Sequence, residues 1–100
     1  MTRLRVSKVS DRKRFSKITD DMEHCYICGR RKNHLHEVFY GASRQASKDW
    51  GMVVPLCLSC HQRIHEHQDE DVELKKAAQR IYESEYGHEQ FMEVFHKNYL

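Results

Sequence analysis

All four cysteines of this chain fall in two matched pairs, Cys25-Tyr-Ile-Cys28 and Cys57-Leu-Ser-Cys60, with twenty-eight residues between the pairs. A two-residue gap lets both sulfurs of a pair point into one site while the backbone turns around it, and zinc takes four soft ligands in a tetrahedron. The spacing therefore predicts one structural zinc held by Cys25, Cys28, Cys57 and Cys60. Two other arrangements use the same residues: four free, buried thiols, or a mixed site in which Cys25 and Cys28 join two histidines. Gly29, directly after the first pair, can supply the left-handed backbone that knuckle turns use.

Composition explains why such a staple is needed. A chain of 100 residues has room for one domain, and a domain this small buries only about 60% of its extended surface. The hydrophobic fraction of 39% lies below the usual ~45–50%, so an apolar core alone is marginal. A structural zinc contributes on the order of 10 kcal/mol of apparent folding energy in small domains, which exceeds that deficit. No stretch approaches the ~20 apolar residues of a membrane span, and Met1-Thr2-Arg3-Leu4-Arg5 leads into basic polar sequence. The expectation is a cytoplasmic protein without a membrane partner, in whose reducing surroundings paired cysteines serve metals rather than disulfides.

The net charge of +2 hides a division along the chain. Residues 1–19 hold seven Lys and Arg against Asp11, residues 30–48 hold five against Glu37, and from Glu66 onward four basic residues face nine acidic ones. One end should attract a polyanion and the other repel it. A basic arm is ordinarily a solvated segment; beside a second basic segment that flanks the metal ligands, it reads as a surface for phosphates.

The chain divides into a basic arm (1–22), a zinc-bound core (23–68) and a helical extension of the same domain (69–100). Phe15, Ile18 and Met22 can fold back from the arm onto the core. Residues 35–40 are rich in branched and aromatic side chains and end at Gly41, which predicts a strand. Residues 42–51 form a polar connection with room for a helical turn. Residues 52–56 predict a second strand, its Pro55 at an edge or strand end. A helix is expected over 57–68, a second over 72–86 capped by Asp69 or Asp71 with Leu74, Ala78, Ile81 and Tyr82 inward, and a third over 89–97 burying Phe91, Met92, Phe95 and Tyr99. The class is α+β.

His61 follows Cys60 directly and His65 stands four residues on, so the expected helix carries both on one side, one turn apart. The pair His36-Glu37 lies on the strand between the cysteine pairs, which zinc would tie to that helix. Together these residues predict a second metal site of nitrogen and oxygen ligands with positions open for water and a phosphate oxygen. His24, His34, His67, His88 and His96 lack such support and default to surface or satisfied core positions, although His34 lies close enough to the strand to be watched.

The order Cys-x2-Cys, then Leu35-His36-Glu37-Val38-Phe39-Tyr40-Gly41, then Val54-Pro55-Leu56-Cys57-x2-Cys60-His61-x3-His65 resembles the HNH endonucleases of the ββα-metal fold. The likeness is strongest to small phage-borne members, which share the Arg-x2-Ser step at Arg44 and Ser47, and it covers residues 25–65 in motif detail. The resemblance implies a hairpin and helix around one catalytic divalent ion (Mg2+, Mn2+, Ni2+ or Zn2+), cutting DNA with weak sequence preference. His61 and His65 match the family's helix ligands. Its strand pair, most often His-His or Asp-His, serves as ligand and then base; here it is His36-Glu37, and the asparagine that many members carry before the second cysteine pair is replaced by Gly51, Met52, Val53 and Val54. Either His36 is the base and Glu37 a ligand or orienting group, or His36 is the ligand and a carboxylate acts as base; an ordinary imidazole pKa of ~6.5 favours His36 as base. Arg30, Arg31, Arg44 and Lys48 would grip neighbouring phosphates. A monomer would nick one strand, and a homodimer could break both. The alternative is a non-catalytic zinc-finger DNA-binding or adaptor protein.

Overall fold

A serine hydroxyl decides where the first strand stops. The computed structural model describes residues 15–100; the basic part of the arm up to Arg14 lies outside the described residues. Strand β1 (His34–Glu37) pairs antiparallel with β2 (Val53–Leu56), setting His34 opposite Leu56, Leu35 opposite Pro55, His36 opposite Val54 and Glu37 opposite Val53. Val38 extends the pairing by donating its N–H to the Met52 carbonyl (3.0 Å). At Phe39 the buried Ser47 intervenes: its Oγ accepts from the Phe39 N–H (3.0 Å) and donates to the Phe39 carbonyl (2.9 Å). The strand expected over 35–40 therefore starts one residue earlier and ends at Glu37. Ser47→Ala leaves two buried backbone groups without partners, so its denaturant midpoint should fall by an amount equivalent to about 1–3 kcal/mol at unchanged slope.

Both strands of this two-stranded sheet are edges, which accommodates Pro55; its carbonyl accepts from the Tyr26 N–H (2.8 Å) and so joins the first cysteine turn to the sheet. The connection between the strands forms a 3-10 turn (Gly41–Ser43) and helix α1 (Arg44–Asp49). It closes at Gly51, φ +73°, where the carbonyl accepts from the Lys17 N–H (2.8 Å) and the Phe15 ring lies so close that a Cβ would sit 2.6 Å from it. Phe15 and Ile18 thus return onto the domain.

Helix α2 (Leu58–Glu66) opens on Cys57, whose sulfur accepts from the Cys60 N–H (3.5 Å), while the Asn33 side chain accepts from the Leu58 N–H (2.7 Å). Helix α3 (Gln68–Tyr86) begins four residues before the expected Val72, because His67 alone breaks the backbone between the two helices. Asp69 and Asp71 consequently lie in its first turn with Glu70 and neither caps it; negative charge there suits the helix dipole. Helix α4 (His88–Phe95) stops two residues short of Lys97, at His96 with φ +68°. Among the described residues no helix is long and apolar enough to cross a membrane.

The core sits where the sheet meets α3 and α4. The Phe39 ring packs on Phe95 (4.6 Å between centroids), Tyr99 (5.4 Å) and Phe91 (5.5 Å), and Tyr82 packs on Phe91 (5.6 Å) and Trp50 (5.6 Å). Leu74, Ala78 and Tyr82 are buried as expected and Ile81 partly so. Beside them runs an unexpected buried polar row, Asp71, Lys75 and Gln79. Gln79 accounts for its burial by donating to Glu83 (2.7 Å) and Asn98 (2.8 Å) and accepting from the Tyr99 N–H (2.8 Å), which fixes the C-terminal residues.

Candidate metal centres and the adjoining cleft

The Cys25–Cys28 turn is built by two backbone bonds, Cys25 N–H to the Arg30 carbonyl (2.6 Å) and Gly29 N–H to the Cys25 carbonyl (2.9 Å), with Gly29 at φ +83°. It faces the start of α2, and the four sulfurs lie within 4.8 Å of one another. The Cys28 and Cys57 sulfurs are 3.6 Å apart. That is far beyond a disulfide bond of about 2.05 Å and close to the ~3.8 Å edge of a tetrahedron with Zn–S bonds of ~2.3 Å. Burial disfavours the Cys25 thiolate, but the backbone N–H groups of Cys28, Cys57 and Ile27 outweigh it and hold the thiol at about 6. Burial and the neighbouring cysteine side chains push Cys60 up to about 12. Four sulfurs this close cannot all ionise alone, and a divalent cation relieves that repulsion. The donor set and its spacing are those of a four-cysteine site compatible with zinc; the mixed cysteine–histidine arrangement is not formed, since no histidine belongs to this cluster.

A second cluster lies across the same helix. His36 projects from β1, and His61 and His65 from successive turns of α2; their ligand nitrogens all lie within 4.8 Å of one another. The Nε2 atoms of His61 and His65 are 3.3 Å apart, matching the ~3.3 Å edge of a tetrahedron with metal–nitrogen bonds of ~2.0–2.1 Å. His36 Nε2 is buried and has no hydrogen-bond partner among the described residues, as befits a lone pair kept for a cation. Burial first, then the charges of His61 and His65, push the His36 pKa down to about 4; burial and His65 lower that of His61. Neutral imidazoles are the form that binds metal.

These histidines line a cleft of about 680 Å³ together with Glu37, Tyr40 and Arg44. Glu37 is buried, and its Oε1 accepts from Arg44 Nε (3.3 Å). Of the four cationic residues expected to contact phosphate, only Arg44 reaches this cleft. Arg30 lines a separate groove near the cysteines, Arg31 is exposed beside Glu23 (4.0 Å), and Lys48 lies on α1 outside the cleft. In their place the cleft takes Lys32 and Asn33, which the sequence does not single out, and His34, which its closeness to the strand marks. The His34 ring packs against that of His61, tilted by 44° with centroids 5.0 Å apart, so it is a cleft residue and not an indifferent surface histidine. The two-residue period of β1, which puts residues 34 and 36 on one face, is the signal that could have identified it. His24 and His88 pair instead with Asp21 (2.9 Å) and Glu83 (2.6 Å). No protein-family model, curated protein or solved structure matches this chain.

Proposed function

We propose that this protein is a metal-dependent endonuclease of the HNH type that nicks DNA by phosphodiester hydrolysis. The observation that carries the reading is the convergence of His36, His61 and His65 in one cleft, their ligand atoms within 4.8 Å. The order hairpin then helix, with the ligands on β1 and α2, agrees with the ββα-metal arrangement that the sequence resembles. In this reading the three imidazoles would hold a divalent ion, which when bound clamps the scissile phosphate and stabilises the leaving oxygen. A set of three nitrogens suits Zn2+, Ni2+ or Mn2+ better than Mg2+, which prefers carboxylate and water oxygens.

The base in this reading is Glu37. His36 Nε2 belongs with the other two nitrogens, and a pKa pushed down to about 4 removes the advantage an ordinary imidazole holds over a carboxylate. Arg44 orients the Glu37 carboxylate, and its largely exposed side chain can reach a phosphate. Contacts of that kind carry little base information and weaken steeply with salt, so a weak sequence preference follows.

The test is relaxation of supercoiled plasmid by the zinc-loaded chain with Ni2+, Mn2+, Zn2+ or Mg2+, beside His61→Ala. The expected result is nicking that His61→Ala abolishes while the protein keeps its circular dichroism and thiolate-bound zinc. Intact plasmid under every metal, or undiminished cutting by His61→Ala, overturns the reading; salt-dependent DNA binding without cutting would establish the non-catalytic alternative.

A further inference from the structure

Tyr40 is gripped on one side by buried charge and leans on two histidines with the other. Its hydroxyl donates to Asp71 Oδ2 (2.8 Å), and the Lys75 ammonium lies 3.9 Å from its ring centroid while bonding to the same Asp71 oxygen (2.5 Å). The ring centroid stands 5.8 Å from that of His36 and 5.5 Å from that of His65. The tether is long in sequence, from the residue after Phe39 to the first turn of α3.

Stability gives a weak reason for this arrangement. Tyr40 is 42% exposed, whereas Asp71 and Lys75 are 5% and 6% exposed, and Asp71 Oδ1 has no hydrogen-bond partner among the described residues. Ion pairs taken out of water commonly recover no more than their desolvation cost, and apolar replacements of similar size are often neutral or stabilising. What the pair does accomplish is to fix the Tyr40 ring from its hydroxyl and from its face, cation over ring. The ring then walls one side of the histidine cluster. His65 needs such a wall, because it projects from an exposed stretch of α2 and its Nε2 must stay beside that of His61.

We infer that Tyr40, Asp71 and Lys75 are positioning residues that hold the His36 and His65 imidazoles ready for a divalent cation. The inference rests on reading the three histidines as a metal site. Groups that orient metal ligands typically change affinity about 10- to 100-fold when removed.

The experiment is calorimetric titration of Ni2+ into the full chain with zinc already at the cysteines, together with melting of each variant before Ni2+ is added. Wild type should take up one Ni2+. Tyr40→Phe, which keeps the ring and loses the tether, should bind it about 10-fold or more weakly. Asp71→Leu/Lys75→Met should lose affinity similarly while melting at or above the wild-type temperature. Asp71→Asn/Lys75→Met, which retains an oxygen acceptor for the Tyr40 hydroxyl, should recover most of the affinity lost by the apolar pair. Wild-type affinity in Tyr40→Phe or in the apolar pair overturns the inference and leaves the histidine site standing. A wild-type chain that takes up no Ni2+ overturns the histidine site and this inference with it.

Discussion

Chelation of the thiolate-bound metal should unfold this protein at neutral pH. The Cys25–Cys28 turn contributes little to the core by its own side chains, since Tyr26, Ile27 and Cys28 are exposed. Its remaining ties are single backbone bonds, such as Tyr26 N–H to Pro55 and Asn33 N–H to Leu56 (2.9 Å). Besides the Asn33 side chain, which accepts from the Leu58 N–H (2.7 Å), the sulfurs are what connect this segment to the start of α2, and α2 carries His61 and His65. A structural zinc is worth on the order of 10 kcal/mol of apparent folding energy, comparable with the whole ~5–15 kcal/mol stability of a typical domain. A strong zinc chelator should therefore abolish the cooperative melting transition and most helical circular dichroism, and zinc alone should restore them. Cys57→Ala should do the same without chelator, because it removes a ligand and also the acceptor for the Cys60 N–H. Acid should act in the same direction. Cys25 is held at about 6, below the ordinary thiol value of ~8.5; its thiolate favours the folded site fully above that ordinary value, and the contribution is lost as pH falls through about 6. A chelated protein that melts within a few degrees of the zinc-bound form would mean that the apolar core suffices.

Features set by near neighbours in the chain were legible from the sequence, and features set by partners far along it were not. The cysteine pairs and the His61–His65 pair are local spacings, and their geometry follows from a turn and a helix. The inward face of α3 was legible in Leu74, Ala78 and Tyr82, since apolar side chains at helical period have one place to go. Asp71 was expected only as a cap, and nothing local predicted that it and Lys75 would be buried; the Tyr40 hydroxyl that Asp71 accepts from stands thirty-one positions away. The early end of β1 has the same origin, because the Ser47 hydroxyl satisfies the backbone that a longer strand would have used. Charge counted along the chain likewise gave a basic segment without its direction. Arg44 turns into the cleft through Glu37, while Arg30 and Arg31 leave the cysteine turn on other sides.

His36→Ala and Glu37→Gln should separate metal binding from turnover. His36 supplies a buried nitrogen to a cluster of three, so alanine leaves two helix ligands and an enlarged cleft. The variant should lose its Ni2+ uptake and all nicking while keeping the zinc at the cysteines. Glu37→Gln preserves shape, and the amide oxygen can still accept from Arg44 Nε, so the fold and Ni2+ uptake should survive. What it loses is the ability to take a proton from water; removal of a positioned base ordinarily costs about 10²- to 10⁴-fold in rate, and nicking should fall by that much. The opposite pattern, with Glu37→Gln failing to take up Ni2+ and His36→Ala retaining it, would return His36 to the role of base and make the carboxylate a ligand. The distinction matters chemically because a nitrogen committed to a cation has no lone pair left for water, so one imidazole cannot do both jobs through the same Nε2. In that reading two adjacent residues would divide the work, His36 joining the helix histidines while Arg44 holds the buried Glu37 along the cleft and Val54, opposite His36 in the sheet, keeps the imidazole's register on β1.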